Sequence, residues 1–211
     1  MKEWILNRLI KFFLRLDNFC YRKISRLAIW ENNGIHPKHR IMNYHQFFIK
    51  NIGNNDEILD IGCGNGAVAY DLSKKAKSVL GIDIDKQNIE SAKKHYQRKN
   101  LSFIVGDATK YQLRNSFDVI ILSNVLEHIK NRTPFLKKIK KLAPTILIRV
   151  PMVNRDWLTL YKKEKGVEHR LDKTHFIEYT EESLREETKK ANLKIESYSI
   201  QFGEIWAIIK K

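Results

Sequence analysis

With only two cysteines and four prolines in 211 residues, the chain excludes several classes at once. Cys20 and Cys63 are too few and too far apart to staple a small disulfide scaffold. Cys63 lies in a glycine-rich stretch, where it must stay reduced to let a ligand approach, so the expected location is cytoplasmic. No apolar run is long enough to span a membrane. The stretch from Met1 to Phe19 is broken by Lys2, Glu3, Arg8, Lys11, Arg15 and Asp17 and has no small-residue cleavage site. It is therefore expected to be neither a signal peptide nor a membrane span. Repeats and low-complexity tracts are missing too, which leaves a globular chain long enough for one domain plus an extension. Acidic residues are short: 24 Asp and Glu face 39 Lys and Arg, for a net charge of +15. That excess suits RNA, an anionic membrane or phosphorylated substrates. It equally suits a solvated, lysine-rich surface.

What is present begins with a long amphipathic helix from Trp4 to Trp30. Arg8, Lys11, Arg15, Asn18, Arg22 and Arg26 recur at spacings of three or four, and Ile5, Leu9, Phe12, Leu16, Phe19, Ile24 and Leu27 form an apolar stripe. The run Glu31–Gly34 ends it, and a shorter helix is expected over 36–52, after Pro37. Residues 1–52 thus read as an N-terminal extension: a lid over a cofactor cleft, a homodimer element, or an anchor on a membrane surface.

From Glu57 the rhythm changes. EILDI, SVLGI, LSFIVG, FDVIIL and TILIRV are strand candidates, with helices expected near 67–75, 86–99 and 133–141 between them. Strands this rich in Ile, Val and Leu suit a sheet buried on both faces, and their alternation with helices predicts an α/β, doubly wound parallel sheet over 53–211. The polar segment 151–179 reads as an insertion that lids an acceptor site. A helix capped by Thr180 and a hairpin turning near Gly203 follow.

The stretch DIGCGNG, residues 60–66, fits two motifs. Gly62, Gly64 and Ala67 match the G-x-G-x-x-G/A turn of dinucleotide sites; Asp60, Gly62, Gly64 and Gly66 match the D-x-G-x-G-x-G loop of S-adenosylmethionine (SAM) enzymes. The glycines serve either ligand. Asp83, 21 residues after Gly62 at the end of the second strand, suits the hydroxyls of a ribose in both readings. Asp60 separates them, because a carboxylate aimed at a pyrophosphate would repel it, whereas a sulfonium and an ammonium tolerate a neighbouring anion. Asp107, closing the third strand, is placed to accept from the amino group of an adenine.

In DIGCGNG, GIDID, GDATK and FDVIILSNVLEHI, taken in that order, the chain resembles the class I SAM-dependent methyltransferases from about Glu57 to Lys141. The resemblance implies a Rossmann-like seven-stranded sheet of order 3-2-1-4-5-7-6 with strand 7 antiparallel, and SAM as cofactor. It implies that Asp60, Gly62 and Gly64 line the methionine portion, that Asp83 binds the ribose, that Ile84 packs on the adenine, that Asp107 and Ala108 hold its edge, and that Ser123 and Asn124 flank the sulfonium. Arg40, 20 residues before Asp60, is a candidate partner for the methionine carboxylate.

Methyl transfer from a sulfonium needs alignment rather than a nucleophilic residue; a hydroxyl acceptor benefits from a base. His128 in LEHI, and His169 and His175 in GVEHRLDKTHF, are the candidates. The latter two with Glu168 and Asp172 match no metal-ligand spacing, so no metal is expected. The absence of an Asn/Asp-Pro-Pro-Tyr run argues against amino-directed DNA or RNA methylation, and the commitment of Cys63 to the glycine turn and Cys20 to the N-terminal helix argues against a cysteine-nucleophile pyrimidine mechanism. SNVLEH and the stretch D-x-T-H-F-x-x-Y-T-x-x-S-L from Asp172 to Leu184 are similar to small-molecule and sugar or lipid O-methyltransferases. The expected function is methyl transfer to an oxygen or nitrogen of a small-molecule, lipid or glycan-precursor acceptor. An RNA methyltransferase and a non-catalytic SAM-binding protein remain the alternatives.

Overall fold

The computed structural model describes residues 2–32, 35–113 and 116–211. Strands β1 (Glu57–Ile61), β2 (Ser78–Asp83), β3 (Leu101–Val105), β4 (Val119–Ser123) and β5 (Thr145–Pro151) are parallel, and the antiparallel pair β6 (Lys194–Gln201) and β7 (Glu204–Lys210) completes a sheet of order β3-β2-β1-β4-β5-β7-β6. This is the order the resemblance implies. Every residue of β5 is buried, as expected of a strand covered on both faces.

The helices divide between the two faces. Phe135, Leu136 and Ile139 of α6 (Arg132–Ile139) and Leu184 of α8 (Glu181–Lys190) pack on one core. On the other lie Tyr44 and Phe48 of α3 (Tyr44–Lys50), Val68 and Leu72 of α4 (Ala67–Ser73), and Ile89 and Ala92 of α5 (Lys86–His95). Phe48, wholly buried, alone contributes about 2–3 kcal/mol. Thr180 caps α8 by accepting from the Ser183 N–H, while the Ser183 hydroxyl accepts from the Thr180 N–H.

Three segments depart from the sequence reading. The helix expected over 36–52 is two, α2 (Lys38–Met42) and α3, broken at Asn43 in the left-handed conformation (φ 48°). The break turns Tyr44 into the core, where its hydroxyl meets His39 Nδ1 at 2.7 Å. Helix α5 stops at His95 rather than Lys99, where Tyr96 goes extended and its ring stacks on Tyr70. Inside the insertion a helix forms, α7 (Trp157–Glu164), because Asp156 caps it, Oδ1 accepting from the Thr159 N–H at 2.6 Å. Both ends of the insertion are clamped together: Tyr179 N–H donates to Pro151 O and Val153 N–H to Tyr179 O.

Helix α1 (Glu3–Glu31) ends where the Glu31–Gly34 run predicts, although Asn33 and Gly34 lie outside the described residues. Leu14 is its one buried residue. Polar contacts fasten it to the insertion: Lys162 Nζ reaches Asp17 Oδ2 (2.5 Å) and Asn18 Oδ1 (2.7 Å), and Asn18 Nδ2 donates to Glu168 O (2.7 Å). Among the described residues, no helix is long and apolar enough to cross a membrane.

Candidate active site

The chain leaves β1 through a turn that only glycine can make. Gly62 sits at φ +67°, and a Cβ there would lie 2.6 Å from Val125 Cγ2. At Gly66, φ +84°, a Cβ would strike the Phe103 ring at 2.7 Å and Ala92 Cβ at 2.8 Å. Ala67, the third position of the dinucleotide fingerprint, is by contrast an ordinary first residue of α4. The backbone therefore demands glycine in alternate positions, the D-x-G-x-G-x-G pattern.

Around this turn, at the carboxyl ends of β1 to β4, opens a cleft of about 820 Å³. Asp83 stands at its centre, Oδ2 accepting from Gly64 N–H and Oδ1 from Asp85 N–H, both at 2.8 Å. Both oxygens retain lone pairs. Asp107 accepts from the N–H and hydroxyl of Thr109 at 2.9 and 2.6 Å, bonds that hold its carboxyl below the usual carboxylate range. Between them Ile84 is 71% exposed, an apolar side chain with nothing over it.

At the far wall His128 follows β4 in a 3₁₀ turn, Leu126–His128. The Thr174 hydroxyl donates to Asp172 Oδ1 (2.8 Å), so its oxygen is left to accept from His128 Nδ1–H (2.9 Å). That arrangement leaves the lone pair on Nε2. Burial, then the neighbouring His175, lowers the His128 pKa, so the ring is neutral at pH 7. The His175 ring meets that of His128 edge-on at 4.6 Å, with its own Nδ1 3.0 Å from Glu178 Oε1. Donor atoms of Glu127, His128 and His175 all lie within 4.8 Å of one another, a set close enough to share a metal ion.

Residues 59–144 match the family described as a methyltransferase domain. A ubiquinone biosynthesis O-methyltransferase of Bartonella tribocorum is 35% identical over 108 residues, covering 49% of this chain and 44% of that protein. The chain spans about half the length of the curated relatives it matches. Among solved structures, a SAM-dependent methyltransferase from Clostridium acetobutylicum superposes with a TM-score of 0.65 over 90% of this chain and 98% of that one, at 14% identity. The magnesium protoporphyrin IX methyltransferase of Synechocystis, bound to S-adenosylhomocysteine (SAH), gives 0.64 over 82% and 83% at 18% identity. Residues 59–144 thus match a methyltransferase domain, and the chain has the fold of the SAM-dependent methyltransferases.

The cleft gathers Gly62, Asp83, Ile84, Asp107, Ala108, Asn124 and His128, with the His175 ring edge-on to that of His128. The other residues named from sequence lie off its surface. Asp60 shares its strand face with Ile58 and is buried beneath α4, its Oδ2 without a hydrogen-bond partner. Burial, with repulsion from Asp83 second, pushes its carboxyl up to about 8. Gly64 serves through its N–H on Asp83, and Ser123 sits within the sheet opposite Arg149. Arg40 is exposed on α2. His169 lines a separate cavity of about 620 Å³ between α1 and the insertion, its carbonyl held by Arg155.

Sequence reasoning passed over Arg149 and Glu127. Arg149, 2% exposed on β5, shares its Nε between Asn124 Oδ1 (2.6 Å) and Glu204 Oε2 (3.1 Å), and its guanidinium lies 3.5 Å above the Tyr44 ring. It holds Asn124, itself in the left-handed conformation, at the cleft wall. Both carboxyl oxygens of Glu127 are buried without a hydrogen-bond partner, and burial pushes the group up to about 8. One signal was in view: a single arginine in the otherwise apolar TILIRV strand has to be paired.

Proposed function

We propose that this chain transfers a methyl group from SAM to an oxygen of an apolar small-molecule or lipid acceptor. The observation that carries the reading is a neutral histidine, His128, facing the same cleft as Asp83 and Asp107. The cleft suits an adenosine: it has room, carboxylates at two successive strand ends, an uncovered Ile84, and a floor at Gly62 that any side chain would fill. Asp83 would accept from the ribose hydroxyls, Ile84 would cover the adenine, and Asp107 with Ala108 would meet its edge. Gly62 and Asn124, steadied by Arg149, would border the methionine end. A lipid or ring acceptor is supported by Ile129, Pro134 and the exposed Phe176 at the cleft mouth, and oxygen as the target by the O-methyltransferase names of the relatives.

SAM, when bound, supplies a methyl group on a positively charged sulfur. The chain's own contribution is to hold the acceptor and to take its proton: His128 Nε2 accepts it while Thr174 and Asp172 keep Nδ1 protonated. The test is SAH release with hydroxylated acceptors, compared with the same compounds already O-methylated. His128→Gln should lower kcat by about 10²–10⁴-fold and leave SAH affinity unchanged. Loss of activity on chelation would instead assign His128 to a cation held with Glu127 and His175. Activity on RNA alone, falling steeply with salt, would replace the small-molecule reading.

A further inference from the structure

Helix α1 is attached to the body by the wrong side for a buried amphipathic helix. Leu14, Asn18 and Ser25 face inward, Ser25 Oγ lying 3.0 Å from His36 Nε2, and the stronger contacts are the polar ones to Lys162 and Glu168. At 100° per residue, Leu9, Phe12, Leu16, Phe19 and Leu27 lie on the opposite side, turned to solvent. Phe12, Phe13, Phe19, Ile24 and Leu27 are each at least half exposed. Such a continuous apolar strip on a surface marks an interaction site. Along one border runs an exposed row of Arg8, Arg15, Arg22 and Arg26. Exposed Trp4 and Trp30 stand near the two ends.

We propose that this face docks on an anionic lipid bilayer, the helix lying flat in the interface with its apolar strip among the acyl chains and its arginines against headgroup phosphates. Charge decides between a bilayer and a second copy of the chain. Lys23 falls within the apolar strip, its ammonium 5.4 Å from the Phe19 ring centroid. At a protein interface it would be a buried unpaired charge; at a bilayer it snorkels to the phosphates. From Lys2 to Glu31 there are seven basic residues and three acidic ones, and Asp17, the mid-helix carboxylate, is already taken by Lys162. Two such faces would repel each other, whereas phosphate headgroups attract both arginine row and lysine. The inference stands apart from the catalytic reading, since it concerns α1 and is read by binding alone.

Co-sedimentation of the full chain with phosphatidylcholine vesicles, with and without phosphatidylglycerol, is the test, accompanied by tryptophan emission. Binding is expected only to the anionic vesicles, weakening with salt and shifting the emission to the blue. Phe12→Ser with Phe13→Ser and Phe19→Ser should abolish it. Replacing Arg8, Arg15, Arg22 and Arg26 with Gln should weaken it about fivefold per arginine. All seven side chains are exposed, so an unchanged circular dichroism spectrum verifies that both variants fold. Failure of the full chain to bind anionic vesicles, equal binding to both compositions, or a dimer in solution that the phenylalanine variant dissolves would overturn the proposal.

Discussion

Removing the Asp83 side chain is the sharpest probe of the cleft. Its two oxygens hold the Gly64 and Asp85 N–H groups, and in the proposed complex they also accept from both ribose hydroxyls. A hydrogen bond to a charged acceptor is worth about 1.5–3 kcal/mol. Losing two to the ribose should therefore weaken SAH binding by about 3 kcal/mol, a little over a hundredfold. Weaker binding alone could follow from a loosened turn, so the decisive assay is calorimetry with SAH and its 2′-deoxy analogue on wild type and Asp83→Ala. Wild type should bind the deoxy compound about tenfold more weakly, and the variant should bind the two alike. A deoxy penalty that persists in the variant, or SAH affinity that survives the substitution, refutes the ribose assignment.

Stability should also depend on pH through Asp60. Its folded pKa of about 8 lies above the ordinary 3.8, so between those values the native state keeps a proton that the unfolded chain has released. Stability therefore falls as pH rises through that window, and Asp60→Asn should flatten the decline of Tm between pH 6 and about 8; identical slopes would contradict the buried, protonated carboxyl. Gly62→Ala places a methyl against Val125 in a left-handed backbone and should lower the urea midpoint by the equivalent of about 2–4 kcal/mol. Asp156→Ala strips the cap from α7 and should cost about 1 kcal/mol, with faster amide exchange over residues 157–164; unchanged exchange there would mean that α7 is held by packing instead.

The parallel sheet was legible because its strands carry almost nothing polar, and the turn after β1 because Gly62, Gly64 and Gly66 all take the left-handed backbone. Legibility failed where contacts between distant segments decide. Nothing local distinguishes Asn43 from any other asparagine; it breaks a helix because Tyr44 is drawn into the core. The sequence KKEKG after Trp157 reads as solvated loop, yet Lys162 is spoken for by Asp17 and Asn18, 145 and 144 residues away. His175 meets His128 and His169 does not, and only the path of the insertion separates the two. Asp60 was expected on the cleft, but strand alternation turns it beneath α4.

The clamp between Pro151, Val153 and Tyr179 makes the insertion a cassette. The chain departs from the sheet and returns to within hydrogen-bonding distance of its departure point, so the excursion adds almost nothing to the sheet's own closure. Its length and chemistry can change while β5, β7 and the carboxylates of the cleft stay in register. In the proposed reading the insertion supplies Asp172, Thr174 and Phe176 to the acceptor side, so one acceptor can be exchanged for another by rewriting a single loop while the cofactor half stays untouched.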